Sequence, residues 1–286
     1  MPTLYVVATP IGNLGDMSPR AVETLKNVGL IAAEDTRVTK KLTSHFGVHT
    51  PLTSCHAHNE ESKSAKIIER MLSENIDVAL TTDAGTPAVS DPGYLLVKAA
   101  WEAGITVIPV PGPSAMAAAL SISGFDTAEF AFYGFLPRQK KELRDKLKGI
   151  AMGAPVAVLH ESPHRVVDLL DAVCDTLPGT RVAVCCDLTK KYELTLRGDA
   201  AEVVQTMRQN PNVEKGEYCL VLDLHNVLKE PQEAAGDISL EARLLDLMLS
   251  GKQLREAVEA LTAAGIKKNA AYAASLAVKK FLGSRE

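Results

Sequence analysis

Four runs in the first 110 residues, LYVVAT (4–9), LIAAED (30–35), IDVALTT (76–82) and ITVIPV (105–110), are rich in Val and Ile with little alternation. A strand that is apolar on both faces needs helices above and below it, which is the mark of a mainly parallel sheet. The stretches between the runs supply helical patterns at 19–27, about 61–74 and 94–103, followed by PGPSAMAAALSIS, where Pro113 and Ser114 read as start signals. The expectation is an α/β fold, with residues 1–122 as an N-terminal parallel-sheet domain. A second α/β domain is expected over 123–226. There FAFYGF and PVAVLHE bracket a charged helix, and a helix from Pro163 precedes TRVAVCC, KYELTLRG and GEYCLVLDL. These last strands are closely spaced, which predicts a mixed or antiparallel portion. Residues 227–237 are poor in apolar side chains and read as a linker. The tail, 238–286, holds three helical patterns separated by Gly251 and Gly265, a small all-helical, helix-turn-helix-like domain.

Charge separates the tail from the rest. Residues 237–286 carry eight Lys/Arg against six Asp/Glu, whereas the remainder carries 23 against 29. That asymmetry suits a small module facing nucleic acid, and equally a solvated helical cap. With 6 Phe, 6 Tyr and 1 Trp, the chain has too few aromatic residues for a broad base-stacking platform. The five cysteines show no CxxC spacing and read as buried thiols of a reducing compartment. No basic leader and no apolar run of about 18 residues is visible, so a cytoplasmic protein without a membrane span is expected.

The loops after the strands indicate the ligand. GxxxxGK[ST] is absent, and TPIGNLG is not the GxGxxG of dinucleotide sites. The segment TTDAGTPAVSDPG (81–93) is long for a strand-to-helix connection and holds two Gly, two Pro and two Asp but no Lys or Arg. Two carboxylates without a base would repel phosphate. A neutral or cationic ligand held by backbone groups fits better, and a sulfonium, S-adenosylmethionine, has that character. Asp83 and Asp91 could instead only cap turns. ATPIGN, AEDTR, TTDAGTP and VPGPSA all follow strands of the first sheet, so all four can meet at its carboxyl rim, with HES (160–162) facing them.

ATPIGNLGDMSPRA, AEDTR, TDAGTPAVSDPG, VPGPSA, GFLPR and ESPHR, in this order over roughly residues 3–224, resemble the tetrapyrrole methylase superfamily. Within it they are similar to the branch of bacterial enzymes that methylate small-subunit ribosomal RNA. The resemblance implies two α/β domains with S-adenosylmethionine in the cleft between them, usually in a homodimer. It also implies 2′-O-methylation of a cytidine in 16S ribosomal RNA near the decoding centre, on the assembled small subunit. By position, Pro10 stands for the proline of the family's first turn. Ala84, Gly85 and Thr86 stand in its GGDP-like turn, with Thr86 in the place of the acid and Asp83 one step before the turn. Val89, Ser114 and Ala115 are further implied cofactor contacts, with Leu159 or His160, and a residue near Cys186 to Leu188, on the adenine side.

Methyl transfer from a sulfonium is an in-line displacement, and a ribose hydroxyl gains from a base, typically about 10²–10⁴-fold. Three clusters offer one: Glu34, Asp35 and Arg37 in AEDTR; His56, His58, Asn59 and Glu60 in CHAHNE; Glu161, His164 and Arg165 in ESPHR. Asp35 is the expected base with Arg37 beside it, although Asp35-Thr36 also reads as a helix start. Arg37 and Arg165 suit phosphate contacts, and in the tail Lys267 and Lys268 are candidate RNA contacts. The pair His56 and His58 lacks a third ligand of suitable spacing, so no metal is expected. Two other readings compete: methylation of a small tetrapyrrole precursor, and a non-catalytic RNA-binding assembly factor.

Overall fold

The computed structural model describes residues 1–227 and 239–283. Apart from Val227, the expected linker lies outside the described residues, as do residues 238 and 284–286 of the expected tail domain.

Five strands, β1 (Thr3–Val7), β2 (Leu30–Ala33), β3 (Leu52–Ser54), β4 (Val78–Thr81) and β5 (Thr106–Val110), form a sheet in the order β3-β2-β4-β1-β5. All its pairings are parallel. Burial on both faces follows from the composition of the strands. Leu4, Leu30, Ala32, Val78 and Leu80 face α3 (Glu60–Glu74) and α4 (Tyr94–Glu102), meeting Ile67, Met71, Leu96 and Ala100. Val7, Ile31, Ala79 and Val110 face the other way, against Ala21 and Leu25 of α1 (Pro19–Asn27). Each fully buried leucine of this kind contributes about 1.5–3 kcal/mol. Helix α1 starts where Ser18 Oγ accepts the Ala21 N–H (3.1 Å) and Pro19 fills the first turn. Helix α2 (Thr36–His45) connects β2 to β3. The short β3 is absent from the sequence reading, since three half-buried residues carry no periodic signal.

The second sheet has the order β6-β7-β10-β8-β9, from β6 (Phe130–Phe135), β7 (Val156–Glu161), β8 (Arg181–Cys186), β9 (Leu194–Asp199) and β10 (Tyr218–Asp223). Here β6 and β7 are parallel and the other pairings antiparallel, as the close spacing of the late strands predicts. One face packs on α6 (Lys140–Ala151), α7 (Val166–Thr176) and α8 (Ala200–Gln209). The other, with Val156, Val158, Cys185 and Cys219, packs on α5 (Ala115–Ser123). Helix α5 therefore follows the first sheet in the chain but covers the second, which brings the start of α5 beside both. Helix α8 is a further element missing from the sequence reading. Its signal is present: Val203, Val204 and Met207 share a face, and Asp199 accepts the Ala201 N–H (2.9 Å) as its cap.

The described residues 239–283 belong to a separate compact unit. In it α9 (Leu240–Leu249), α10 (Leu254–Ala263) and α11 (Lys268–Gly283) share a core of Leu244, Ala257, Leu261, Ala271, Ala274 and Val278. Gly251 and Gly265 turn the chain at φ 95° and 94°. Among the described residues no helix is long and apolar enough to cross a membrane.

Candidate active site

The loops at the carboxyl ends of β1, β4 and β5 are fastened to one another. Thr9 and Gly85 exchange backbone hydrogen bonds (2.8 and 3.1 Å), Thr9 Oγ1 donates to the Thr82 carbonyl (3.1 Å), and Thr86 Oγ1 donates to the Pro113 carbonyl (3.4 Å). The 81–93 loop carries unusual backbone. Ala88 and Ser90 are left-handed at φ 63° and 69°, a conformation that costs a residue with a side chain roughly 1–2 kcal/mol. Strain of this kind gathers at ligand sites, held by the surrounding structure. Two hydrogen bonds hold it here, from the Ala88 N–H to the Pro92 carbonyl (3.2 Å) and from the Val89 N–H to the Thr86 carbonyl (3.4 Å). The return into α4 is fixed by Glu60, a buried carboxylate that accepts the N–H groups of Gly93 (2.8 Å) and Leu95 (2.7 Å). Glu60 is thus a helix cap supplied from another helix, and no longer a candidate base.

These loops form one wall of a cavity of about 400 Å³ whose other wall is the second sheet. That volume is within the usual range for a small-molecule site. Of the expected cofactor residues, Ala84, Gly85, Thr86, Val89, Ser114, Ala115 and His160 line it. Pro10, Asp83, Leu159 and Cys186 do not. Pro10 and Asp83 border a smaller hollow behind the first loop, and Ile11 reaches the cavity instead. Leu159 points to the opposite face of the sheet, into the core with α6 and α7, because neighbours on a strand alternate. Cys186 lies on that far face too, and Leu188, between the left-handed residues Asp187 (φ 51°) and Thr189 (φ 68°), is the cavity residue of its loop.

No Lys or Arg lines the cavity, but three carboxylates do: Asp91, Glu161 and Glu217. Glu161 accepts the Ser162 N–H through one oxygen (2.6 Å), and its other oxygen is 3.2 Å from Arg165 Nη2. For Asp91 no donor lies within hydrogen-bond distance among the described residues. Burial, first, and then the charges of Glu34 and Asp83 push its carboxyl up to about 6. His160 has a buried Nε2 without a partner, and burial lowers its pKa, so at neutral pH the ring is uncharged and offers one donor and one acceptor. The start of α5 is also open, since Ser114 makes no side-chain cap bond there.

The expected catalytic pair lies elsewhere. Asp35 and Arg37 border a separate acidic hollow with Glu34, His56 and Asp83. Asp35 caps α2 through the Arg37 N–H (2.8 Å) and is gripped by the Arg37 guanidinium at 2.6 Å. That hydrogen bonding holds its carboxyl down at about 2. The structure thus places Asp35 as the cap of α2, the other role that the Asp35-Thr36 pair offers. Arg165 is likewise committed: Nη2 donates to the carbonyls of Leu136 (3.4 Å) and Pro137 (3.1 Å). Lys267 and Lys268 are exposed at the start of α11, in the separate helical unit. Asp91 had a local signal in its Gly- and Pro-rich loop, but nothing in the sequence marked its burial.

Residues 3–204 match the model of the tetrapyrrole (corrin/porphyrin) methylases. The ribosomal RNA small subunit methyltransferase I of Halalkalibacterium halodurans is 47% identical over 231 residues, 81% of this chain and 79% of that protein. The protein of the same name from Pseudomonas aeruginosa is 42% identical over 276 residues, 96% of each chain. Among solved structures, a uroporphyrin-III C-methyltransferase from Thermus thermophilus complexed with S-adenyl homocysteine shares the fold at 17% identity. Its TM-score is 0.53, over 78% of this chain and 97% of that one.

Proposed function

The chain belongs to the tetrapyrrole methylase family, and on that premise we propose that it is an S-adenosylmethionine-dependent methyltransferase of small-subunit ribosomal RNA. Relatives of that name align over most of this chain at 42–47% identity, far above its likeness to the porphyrin enzyme. The observation that carries the chemistry is the cavity itself. A space of about 400 Å³ between two sheets has no Lys or Arg in its lining; Glu161 and Glu217 there are paired with Arg165 and Lys190, and Asp91, unpaired among the described residues, suits a sulfonium and disfavours a phosphate. The buried, unpartnered His160 Nε2 is a polar group waiting for a ligand, which the adenine ring would satisfy.

In this reading Gly85, Thr86, Val89, Ser114, Ala115 and His160 hold the cofactor, which supplies an electrophilic methyl group. Asp91 takes the proton of the acceptor hydroxyl, a 2′-oxygen of a cytidine on the assembled small subunit. With its pKa near 6, Asp91 is ionised at neutral pH yet basic enough to serve. The domain division at residue 122, the 227–237 linker and the tail from residue 238, presenting Lys267 and Lys268 to RNA, belong to the same proposal. So do a homodimer and a cytoplasmic location.

Calorimetry with S-adenosylmethionine should give one site per chain, and Ser114→Trp should abolish it. Radiolabelled methyl transfer to naked ribosomal RNA, assembled small subunits and uroporphyrinogen should place label in the RNA of small subunits, at a 2′-oxygen. Label on uroporphyrinogen alone, or no cofactor binding at all, would sink the proposal.

A further inference from the structure

Two aromatic residues stand together at the cavity mouth because β6 is irregular. Regular pleating puts residues 132 and 135 on opposite faces of a strand. The pairing of β6 with β7 shifts by one residue between Phe132 and Gly134, and Gly134 is left-handed at φ 59°. The shift sets Phe135 opposite His160 in the ladder. Its ring stands 5.8 Å from the imidazole, edge to face, with Phe132 at 5.1 Å from the same ring. Bulges beside active sites re-aim side chains in this way. A Cβ on residue 134 would approach Ser90 Oγ to 2.9 Å, so the bulge and the strained loop fit closely against each other. Phe135 nevertheless stays 64% exposed.

Phe135 also borders a second cavity of about 410 Å³, lined by residues 135–138 with Glu161, Ser162 and Arg165. Phe135, Glu161 and Ser162 border both cavities, so the second lies directly beside the first. The motifs GFLPR and ESPHR, separate in the sequence, are its two walls. Arg165 is spent on the Leu136 and Pro137 carbonyls and on Glu161, which stiffens the 136–137 peptide. Arg138 is exposed, and among the described residues no carboxylate is within ion-pair distance of it. Next to a cavity whose carboxylates repel phosphate, the structure therefore presents an open aromatic face and an uncommitted guanidinium.

We propose that this second cavity is the acceptor subsite for RNA: the base presented for methylation stacks on Phe135, and an adjacent phosphate pairs with Arg138. The inference rests on the ribosomal RNA reading above. A single exposed ring gives affinity for a base without a broad platform, and a guanidinium is well matched to phosphate. Arg165 acts as a positioning residue for this wall and does not touch RNA.

The test measures methyl transfer to small subunits, with cofactor affinity by calorimetry, for F135A, F135W, R138A and R138K. In F135A the KM for small subunits should rise about tenfold, the loss of one stacked base. F135W should restore it, and in both the change in cofactor affinity should be much smaller than the change in KM. In R138A the slope of log KM against log salt should fall by about one phosphate contact, with R138K retaining it. Wild-type KM and salt slope in F135A and R138A, with transfer intact, would overturn the subsite and leave the ribosomal RNA reading standing. A loss of cofactor affinity in F135A as large as the rise in KM would also overturn it, by assigning Phe135 to the cofactor site. Failure of the wild-type protein to methylate RNA would remove the underlying reading instead.

Discussion

Asp35 and Asp91 occupy two regions that resemble each other on paper: each follows a strand of the first sheet, precedes a helix and sits among other acids. The fold treats them in opposite ways. Asp35 is exposed to a guanidinium and to the backbone of its own helix, and its carboxyl is held at about 2. Asp91 is drawn into a cavity wall, receives no hydrogen bond from the described residues and is pushed to about 6 by burial and by the charges of Glu34 and Asp83. Partners make one acid a structural cap, and the other, without them, is the base of the proposed reaction.

The sharpest way to break this contrast is to exchange the roles by mutation. Asp91→Asn should lower kcat by about 10²–10⁴-fold with cofactor affinity retained, whereas Asp35→Asn should leave turnover near the wild-type value. Full turnover in D91N, or collapse in D35N alone, would reverse the assignment. The pH profile comes next. Because the base must be ionised, the single-turnover rate should climb about tenfold per pH unit up to about 6 and then level. In D91N the climb should disappear.

A smaller effect is expected at Glu60, which secures the end of the Asp91 loop. Glu60→Ala strips one buried and one part-buried N–H group of their acceptor and should cost about 1–3 kcal/mol in urea unfolding. It should also impair turnover, and D35N should not. The smallest effect concerns pH and stability. The carboxyl of Asp91 is raised in the folded state, so the folded protein binds that proton more tightly and loses stability as pH rises from 3.8 to about 6. The carboxyl of Asp35 is lowered, so its contribution is present above 3.8 and is lost as pH falls toward about 2. The difference in unfolding midpoint between wild type and each Asn variant should therefore change with opposite slopes.

Much of the rim was legible because its signals are local. The two-sided apolar strands required a parallel sheet, and a parallel sheet gathers the loops after its strands at one edge. The absence of cations from TTDAGTPAVSDPG carried over into the cavity lining. Choices between adjacent residues were less legible. Alternation says that only one of Leu159 and His160 can face the cavity, and it does not say which. The helices packed on each face of the second sheet settle that. Thr86 stands where the resemblance places an acid, and the carboxylate that this loop gives to the cavity lining is Asp91, five residues later, while Asp83 turns toward Glu34 and Asp35.

The sequence by itself determined the alternation of strands and helices, the ligand-bearing edge and the sign of its charge, since each depends on residue type and spacing within a few positions. Only the tertiary structure decided which carboxylate is basic, which face of β7 meets the cavity and where Phe135 points. Those properties arise from desolvation, hydrogen bonding and a one-residue shift in strand pairing. The desolvation and the pairing shift are set by groups tens of residues away in the chain.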